Sequence, residues 1–432
     1  MKIAVIGSGI SGLACAWRLS TEHEVTLYES QGYLGGHTHT VDATVDGTTY
    51  PVDTGFLVFN ERTYPTLIDL FARLKIPTAA AEMSFSVTFL KQGERALEWA
   101  GTNLNSVFAQ RRNLAKPSFL TMLRDIVRFN AVASRLALEP VPNGDARTLG
   151  EFLKAERYSK AFQDWYLLPM AAAIWSCSLA QMSRYPLMSF VRFCHNHGLL
   201  QIAHRPQWYT VRGGAREYVK KLAQGISSIR LGEGASRIER NEALGRVMVA
   251  SPSGTAAYHR AVLACHPDQS LQLLADPSPV EALVLGAISY QPNRAVLHTD
   301  QTVLPKQRRA WAAWNYQCQS GGTESDTRAT CVHYLINRLQ PIPFKRPVIV
   351  SLNPFREPRP ETVIGRYDYR HPVFDDAALD AQRHLAQLQG QRNTWFAGAW
   401  TGYGFHEDGL KSGLAAAEAI LQSTAQPTAL AA

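Results

Sequence analysis

Residues 1–36, MKIAVIGSGISGLACAWRLSTEHEVTLYESQGYLGG, decide the fold of this chain. The apolar run Lys2–Ile6 has the composition of a strand that is buried on both faces. A G-x-G-x-x-G motif follows it at once, and the apolar residues from Leu13 to Ser20 predict a helix. The run Glu24–Glu29 predicts a second strand that ends in an acid. This order of strand, glycine loop, helix, strand and acid predicts a Rossmann-type dinucleotide site.

Each glycine of the motif has a physical task. Gly7 permits the tight turn, Gly9 lets the backbone touch a pyrophosphate, and Gly12 lets the helix pack closely on the strand. The helix N-terminus offers free N–H groups and positive partial charge to the phosphates. Glu29 lies 17 residues after Gly12, where its carboxylate can accept hydrogen bonds from a ribose hydroxyl.

A glycine doublet, Gly35-Gly36, lies just beyond the acid and indicates which dinucleotide the site binds. In NAD-linked dehydrogenases this region is usually an ordinary crossover. In flavoproteins of the amine-oxidase and carotene-desaturase type, a doublet here lets a loop run close to the cofactor. The sequence resembles that FAD superfamily, with His37 where the family usually has arginine. The D-x-G sequence that begins at Asp53 also recurs in the superfamily.

Size and composition predict a globular protein of two domains, since the chain has 432 residues with 46% hydrophobic and 19% charged side chains. We expect no signal peptide and no transmembrane helix, because no apolar run reaches about 18 residues. The six cysteines form no C-x-x-C or zinc spacing, which predicts reduced thiols and no metal site. The net charge is +8, but no nucleic-acid motif accompanies it, so we expect no nucleic-acid partner.

We predict an α/β fold with two discontinuous domains, amine-oxidase-like in organisation. The FAD-binding domain has a Rossmann-type parallel sheet and takes residues 1–60, 205–290 and 385–425. The inserted substrate domain has a mixed sheet and helices and takes residues 61–204 and 291–384, with a helical subdomain at about 103–204. A second glycine doublet, Gly213-Gly214, marks re-entry to the cofactor domain in the superfamily.

The helical subdomain is dense in basic side chains, namely Arg111, Arg112, Lys116, Arg124, Arg128 and Arg135. One interpretation is an interfacial helix that lies on anionic lipid. The other is a helical core with a solvated basic face. We expect a cytoplasmic protein, either free or in peripheral contact with the inner face of the membrane.

The C-terminal region carries the other half of the resemblance. The run Asn393–Trp400 predicts a strand that ends in a turn at Gly398, and a helix is predicted to open near Asp408. In FAD relatives such a turn offers backbone N–H groups to the pyrophosphate, and the helix N-terminus points at the flavin ring. That dipole would stabilise negative charge on the reduced ring. The two chain ends are therefore predicted to meet on one FAD.

Motif and resemblance together give the predicted cofactor site, in which a strand near Ile238 offers its backbone to the adenine. The predicted residues are Gly7, Gly9, Ile10, Ser11, Gly12, Glu29, Ser30, Gly35, Gly36, His37, Thr54, Gly55, Phe56, Ile238, Gly398, Ala399, Asp408, Gly409 and Leu410.

Three further segments give a narrower resemblance: DTGFLVFN (53–60), PMAAAIWS (169–176) and TGYGFHEDGLKSG (401–413). They are similar to a bacterial family of NAD/FAD-binding oxidoreductases related to the flavoprotein half of plant cyclopropane fatty acid synthases. The likeness covers essentially the whole chain. It implies oxidation of a methylated or unsaturated fatty acyl chain of membrane lipid, with any lipid methyltransferase as a separate partner protein.

The chemistry that this resemblance implies is hydride transfer from an acyl C–H to flavin N5, with loss of a proton from a neighbouring or allylic carbon. His406 and Glu407 are the candidate bases because they immediately precede the helix that faces the flavin, and Tyr403 could orient them. We expect Lys411 to be structural. No lysine in the sequence can be matched to the lysine–water–flavin contact of amine oxidases.

Three other functions stay open. They are an amine oxidase, a carotenoid- or isoprenoid-type desaturase or isomerase, and a nonenzymatic flavin-binding partner of a lipid methyltransferase. Aromatic residues could form an amine cage or an apolar tunnel, and the candidates are Trp175, Trp208, Trp314 and Tyr316.

Overall fold

The computed structural model describes residues 1–90, 96–140, 147–175, 177–201, 205–319 and 331–425. The strands are β1 Lys2–Ile6, β2 Glu24–Glu29, β3 Thr40–Val45, β4 Thr48–Asp53, β5 Phe59–Asn60, β6 Thr78–Ala81, β7 Phe85–Leu90, β8 Leu97–Ala100, β9 Trp208–Val211, β10 Ser228–Leu231, β11 Arg237–Asn241, β12 Arg246–Ser251, β13 Gly254–Tyr258, β14 Arg260–Leu263, β15 Tyr290–His298, β16 Trp314–Gln319, β17 Cys331–Leu335, β18 Ile349–Leu352, β19 Val363–Pro372 and β20 Thr394–Phe396. The helices are α1 Ile10–Leu19, α2 Pro65–Leu74, α3 Leu104–Val107, α4 Pro117–Leu136, α5 Leu149–Ala155, α6 Lys160–Phe162, α7 Leu168–Trp175, α8 Leu179–Ser183, α9 Leu187–Asn196, α10 Arg216–Ala223, α11 Pro267–Leu273, α12 Pro279–Gly286, α13 Ile336–Leu339, α14 Asp376–Arg383 and α15 His406–Ala425. The predicted turn at Gln92-Gly93-Glu94 lies outside the described residues.

A five-stranded sheet in the order β10-β2-β1-β14-β20 forms the nucleotide-binding part, and all its neighbouring strands are parallel. Successive side chains of a strand point to opposite faces, so both faces of β1 are apolar. Ile3 and Val5 pack with α1, whereas Ala4 and Ile6 pack into a second core with β11–β13 and α12. This confirms the parallel Rossmann-type sheet that the sequence predicts.

The glycine loop after β1 depends on backbone contacts that no side chain would allow. Gly7 has φ +99°, and a β-carbon on Gly12 would stand 1.9 Å from the Gly7 carbonyl oxygen. The Gly35 N–H donates to the Ser8 carbonyl (3.0 Å), and a β-carbon on Gly36 would lie 3.3 Å from Gly9 Cα. The doublet therefore packs directly on the first glycine loop.

The last helix, α15, packs along α1, so the two ends of the chain form one unit. A β-carbon on Gly413 would stand 2.1 Å from the Ser11 carbonyl oxygen, and one on Gly409 would lie 3.0 Å from the Ile10 and Ser11 side chains. The two glycines lie four residues apart, on the same face of α15. They let α15 approach the N-terminal turn of α1.

The second large sheet is mixed, with the order β19-β15-β18-β17-β16-β7-β8, and β16 and β7 form its parallel pair. Helices α4 to α9 build a separate hydrophobic core with Val87 of β7 and Tyr316 of β16. These strands and helices come from the segments predicted for the substrate domain, although the domain boundaries themselves stay a prediction. Among the described residues, no helix has both the length and the apolar composition to span a bilayer.

Asp53, the first residue of the D-x-G sequence, joins distant parts of the chain. Its buried carboxylate accepts hydrogen bonds from the Ala215 N–H (2.9 Å), the Gln340 side-chain amide (2.6 Å) and the Thr40 hydroxyl. A β-carbon on Gly214, which has φ +86°, would lie 3.1 Å from the Asp53 carboxylate. The second glycine doublet therefore turns the chain around Asp53.

Replacement of Gly413 by alanine tests the contact between α15 and α1. Overpacking against backbone costs about 3 kcal/mol, and the alanine regains about 1 kcal/mol of helix propensity. We therefore expect the free energy of unfolding to fall by about 2 kcal/mol in denaturant titrations. Gly32 is the control, because a β-carbon there meets nothing within 4 Å. If Gly413→Ala were as stable as Gly32→Ala, the close contact would be contradicted.

Candidate active site

A cavity of about 440 Å³ extends from the glycine loop of the parallel sheet to the mixed sheet. Its nucleotide end is formed by the carboxyl ends of β1, β2 and β14 and by the N-terminus of α1, where ligands of open α/β sheets bind. Its other end is formed by residues of β16, β17, β18, α7 and α9. The cavity therefore spans both of the predicted domains.

Most of the predicted cofactor residues line this cavity. They are Gly7, Gly9, Ile10, Ser11, Glu29, Ser30, Gly35, Gly36, His37, Thr54, Gly55, Phe56, Gly398 and Ala399. Gly12, Ile238, Asp408, Gly409 and Leu410 do not belong to this lining. Gly12, Gly409 and Leu410 pack the helices behind it.

Glu29 is held in place by the glycine loop. One carboxylate oxygen accepts hydrogen bonds from the Ser8 N–H (2.9 Å) and the Ser8 hydroxyl (2.6 Å), and the other accepts from the Gln31 N–H (2.8 Å). Its side chain is buried and lines the cavity. A fixed carboxylate in this position is suited to bind a ribose hydroxyl.

Gly9 forms an open cradle beside that carboxylate. A β-carbon there would meet nothing within 4 Å, and the backbone angles (φ −60°, ψ 175°) suit any residue. The missing side chain therefore leaves space in the cavity instead of relieving strain. This agrees with the task predicted for Gly9, the close approach of a pyrophosphate to the backbone.

Ile238 lies away from the cavity, in the core between the parallel sheet and α12. Its carbonyl accepts a hydrogen bond from the Ala275 N–H (2.8 Å). One lone pair of that carbonyl is used within the protein, and the adenine contact at Ile238 stays a prediction. The superfamily pattern predicts the strand β11. The packing of the segment around Ala275 determines which backbone groups of that strand stay free to bind a ligand.

The N-terminus of α15 differs from the prediction, because the helix begins at His406 rather than near Asp408. The Asp408 carboxylate turns back and accepts hydrogen bonds from the Tyr403 N–H (3.1 Å) and the Phe405 N–H (2.9 Å). Burial raises the pKa of Asp408 to about 6. Its side chain thus shapes the loop before the helix and does not face the cavity.

The turn at Gly398 is closed by the same helix. The Gly398 N–H donates to the Ser412 hydroxyl (3.0 Å), so this predicted pyrophosphate donor already has a partner. Gly398 and Ala399 still line the cavity, together with Trp400. A β-carbon on Gly398 would stand 2.2 Å from the Trp400 indole nitrogen, which explains the glycine.

His406 lies in the cavity wall with two aromatic partners. Its Nε2 is 2.7 Å from the Tyr218 hydroxyl, and its ring stacks on Phe56 with centroids 3.9 Å apart. Burial lowers the pKa of His406 to about 3. The imidazole is therefore neutral near pH 7 and a weak proton acceptor, which favours a role in hydrogen bonding over one as a base.

The Glu407 side chain points away from the cavity, towards α2. Its carboxylate oxygens accept hydrogen bonds from the Thr66 N–H (2.9 Å) and the Leu67 N–H (3.0 Å). Both N–H groups lie in the first turn of α2, where a helix provides no acceptor of its own. Lys411 lies 3.4 Å from the same carboxylate, as expected of a structural lysine. Glu407 is buried and absent from the cavity lining, so this geometry corrects its prediction as a base.

Tyr403 lines the cavity but does not orient His406. Its side chain is 36% exposed, and its ring lies 6.0 Å from that of Phe193. The partner of His406 is Tyr218 of α10, a fully buried residue that sequence reasoning missed. Tyr218 carries no local signal, because its position in an amphipathic helix looks like that of any core residue.

Several nitrogen atoms in the cavity wall are buried and have no hydrogen-bond partner within the described part of the chain. They are His37 Nε2, His266 Nδ1, His371 Nδ1, Trp175 Nε1, Trp314 Nε1 and Trp400 Nε1. An unsatisfied buried polar group costs about 1–3 kcal/mol. A ligand rich in polar groups, such as the phosphates, ribityl chain and ring carbonyls of FAD, would supply the missing partners.

Three of these nitrogens belong to imidazoles that lie together near the glycine loop. The rings of His37 and His371 are 5.1 Å apart, and His37 stacks on Tyr369 at 4.9 Å. Burial lowers the pKa of His37 and His266 to about 4 and that of His371 to about 3. All three are neutral near pH 7 and available as hydrogen-bond donors or acceptors.

The other end of the cavity is apolar and aromatic, and it adjoins a second cavity. The two cavities share the wall residues Met83, Ile174, His197, Leu199, Trp208 and Trp314. Three of the four aromatic residues predicted for a tunnel or cage, Trp175, Trp208 and Trp314, line the first cavity. Tyr316 is 2% exposed and lies in the core of the helical part instead.

A protein-family model described as flavin-containing amine oxidoreductase matches residues 10–352, which is more than half of the chain. The chain belongs to the flavin-containing amine oxidoreductase family. The cavity lining fits the cofactor of that family, and the protein is an FAD-dependent oxidoreductase. No match was found among curated proteins.

Solved structures with the same fold cover almost the whole chain. Cyclohexylamine oxidase from Brevibacterium oxydans IH-35A is 15% identical with a TM-score of 0.68, over 98% of this chain and 99% of that one. A putative protoporphyrinogen oxidase from Exiguobacterium sp. 255-15 is 18% identical (TM-score 0.65), with 98% and 99% covered. A fatty acid isomerase from P. acnes that produces CLA is 14% identical (TM-score 0.63), with 97% and 98% covered. These likenesses show the amine-oxidase-like fold.

When bound, FAD supplies a two-electron acceptor to this site. The glycine loop, Glu29 and the imidazoles would hold the dinucleotide, and the His406–Tyr218 pair would lie beside the reaction space. His266 could have been found from sequence, because it follows β14 at the edge of the sheet where ligands bind. His371 comes from β19, and nothing local connects it with the cofactor.

The Gly9→Ala variant tests the cradle. The backbone angles suit alanine, so we expect the stability of the FAD-free protein to be unchanged. The added methyl group would fill the space beside the glycine loop, so we expect FAD affinity to fall at least about tenfold, or 1.4 kcal/mol. Fluorescence titration of FAD measures this change, with Gly32→Ala as the control. Unchanged FAD affinity would exclude Gly9 from the binding surface.

The Glu407→Gln variant separates capping from catalysis. Glutamine can accept only one of the two N–H groups of α2, so we expect the free energy of unfolding to fall by about 1–2 kcal/mol. The rate at which substrate reduces the bound flavin should stay within about twofold, since a residue outside the reaction space contributes little to the barrier. Glu61→Gln, an exposed glutamate before α2, is the control. A stable but inactive Glu407→Gln protein would restore Glu407 as a catalytic residue.

Proposed function

We propose that the protein oxidises a long apolar substrate, a fatty acyl chain, by removing hydrogen from neighbouring carbon atoms. The observation that supports this most is the apolar wall that the two cavities share, which contains Met83, Ile174, Leu199, Trp208 and Trp314. An acyl chain gains about 0.8 kcal/mol for each methylene that it buries, so a long apolar wall favours a long chain.

The charged groups of the two cavities also favour an acyl chain over a cationic amine. Glu29 lies at the nucleotide end and is bonded to Ser8, and Glu82 in the second cavity pairs with Arg338 (2.6 Å). Arg205 adds a positive charge to the second cavity. An ammonium group would lose its water there without a free carboxylate among the described lining residues, at a large cost in free energy.

In the proposed reaction, one carbon would pass a hydride to bound FAD and its neighbour would release a proton to solvent water, which leaves a carbon–carbon double bond. A methyl branch or a double bond nearby would weaken the C–H bond that breaks. His406 is the proposed catalytic residue, as a neutral group that hydrogen-bonds near the reacting carbon. Its contact with Tyr218 and its stacking on Phe56 fix the imidazole for that role.

The comparisons support a lipid substrate only by analogy. A neighbour of the same fold is named as a fatty acid isomerase. The resemblance to the flavoprotein half of plant cyclopropane fatty acid synthases implies that the chain is methylated first. A separate lipid methyltransferase would then be the partner protein that supplies the substrate.

Amine oxidation is the second candidate, because the family description and the cyclohexylamine oxidase neighbour both name amines. Trp314 and Tyr334, whose rings lie 4.9 Å apart edge to face, could flank a neutral amine. Carotenoid- or isoprenoid-type desaturation or isomerisation would use the same apolar walls. One experiment distinguishes these candidate functions.

The test is anaerobic mixing of the FAD-loaded protein with candidate substrates while flavin absorbance is followed. We expect methyl-branched or unsaturated long-chain acyl substrates to bleach the flavin and to lose two hydrogen atoms by mass spectrometry. Bleaching by cyclohexylamine or putrescine alone would favour an amine oxidase, and bleaching by isoprenoids alone would favour that class. A flavin that no substrate bleaches would indicate a nonenzymatic flavoprotein.

Ile174 offers a matched pair of variants, because it lines both cavities. Ile174→Trp would narrow the passage, and a steric cost of about 1.4 kcal/mol or more for a long chain would slow flavin reduction at least about tenfold. Ile174→Leu conserves the volume and should react as the unmodified protein does. Equal rates for the two variants would contradict a chain that extends into the second cavity.

A further inference from the structure

Helix α4 carries a stripe of side chains that the described part of the chain leaves exposed. Leu120, Arg124, Val127, Arg135 and Leu138 all lie exposed, at spacings of three, four or eight residues that bring them to one side of the helix and its end. Leu120 is 45% exposed, Val127 56% and Leu138 75%. These five residues are called the α4 stripe below.

Apolar exposure is concentrated in the chain segment that contains the α4 stripe. Residues 104–138 contain five of the twelve large hydrophobic side chains that are exposed in the described part of the chain. The other two are Leu104 at 77% and Leu114 at 53%. Single exposed leucines are ordinary, but a cluster of them on one subdomain marks an interaction surface.

The charge of this region is strongly positive. Residues 104–138 contain six arginines and lysines and one acid, Asp125. Asp125 is 2% exposed and lies 3.6 Å from Arg128, so it does not offset the charge of the surface. Arg124 and Arg135 have no ion-pair partner among the described residues, which leaves them free to bind an anion.

The buried face of the same helix touches the wall of the second cavity. Phe119 packs edge to face against Trp99, with ring centroids 6.1 Å apart, and Trp99 lines that cavity. Gly101 also lines it, three residues before Leu104. A surface that bound the α4 stripe would therefore lie one helix away from the proposed substrate path.

We propose that the α4 stripe docks this protein on an anionic phospholipid membrane. Leucine and valine side chains would enter the acyl region while the arginines bind headgroup phosphates. Docking would bring the second cavity next to the acyl chains of the lipid, and this part of the inference rests on the proposed function. Alternation of apolar and basic side chains favours lipid over nucleic acid, which has no apolar phase for the leucines to enter.

The experiment is co-sedimentation of the FAD-loaded protein with vesicles of phosphatidylcholine, with or without phosphatidylglycerol. We expect binding to the anionic vesicles that weakens with added salt. Each basic side chain near an anionic surface contributes about fivefold, so Arg124→Gln with Arg135→Gln should weaken binding about 25-fold. Leu120→Ser with Val127→Ser should weaken it at least about tenfold.

Matched controls come from exposed residues elsewhere. Leu244 is 65% and Leu283 67% exposed, so Leu244→Ser with Leu283→Ser should bind as the unmodified protein does. Arg230→Gln with Arg237→Gln is the control for charge, since both side chains are exposed. Circular dichroism and the flavin absorbance of each variant report folding.

Three results would each overturn the proposal. The first is no binding to anionic vesicles, and the second is an equal loss of vesicle binding in the stripe and control variants. The third is that Leu120→Ser with Val127→Ser leaves both vesicle binding and retention on heparin unaltered. Vesicle binding needs no turnover. A protein that binds vesicles but oxidises no acyl chain would refute the proposed function and leave the docking surface standing. The reverse result would refute the surface alone.

Discussion

The close approach of backbone to backbone around the first turn of α1 is the constraint on which the rest of the structure depends. Gly12 meets the Gly7 carbonyl there, Gly36 lies against Gly9, and Gly413 lies against the Ser11 carbonyl. The contacts of Gly12 and Gly413 exclude a β-carbon, and a β-carbon on Gly36 would be tight at a φ of +57°, which itself favours glycine. Three distant segments therefore carry glycine at the same place. The approach of α15 to α1 sets the position of His406, because His406 begins the helix that Gly413 anchors.

The cavity that this packing creates has two chemical halves. The nucleotide half contains Glu29 and neutral imidazoles whose buried nitrogens lack partners, so its polar groups are arranged for a ligand rather than for one another. The other half is aromatic and aliphatic, and it opens towards the second cavity. Burial keeps His37 and His371 uncharged, which lowers the cost of holding polar groups beside an apolar substrate path.

The sequence predicts the parts of this site that are built from local signals. The strand β1, the glycine loop and Glu29 follow one another, so their spacing predicts a dinucleotide-binding fold. The prediction of FAD also needed the resemblance carried by the Gly35-Gly36 doublet and the Gly398 turn. Glu407 shows why the catalytic residues are harder to predict from the sequence than the cofactor residues. An acid at a helix start normally interacts with its own helix, but this carboxylate caps α2, whose position relative to α15 is set only by tertiary packing. The Tyr218–His406 contact was missed for the same reason, since its residues come from different helices.

Helix α4 connects the cavity with the outside of the molecule. Its amphipathic sequence allows two explanations for a basic face, because solvent and a lipid headgroup layer both accept arginine. The two differ in what they require of the apolar residues on that face. A solvated face gains nothing from Leu120 and Val127, whereas a lipid surface rewards each apolar side chain that leaves water. Since Phe119 on the opposite face supports a cavity wall, the same helix can carry the stripe without any change in the substrate path.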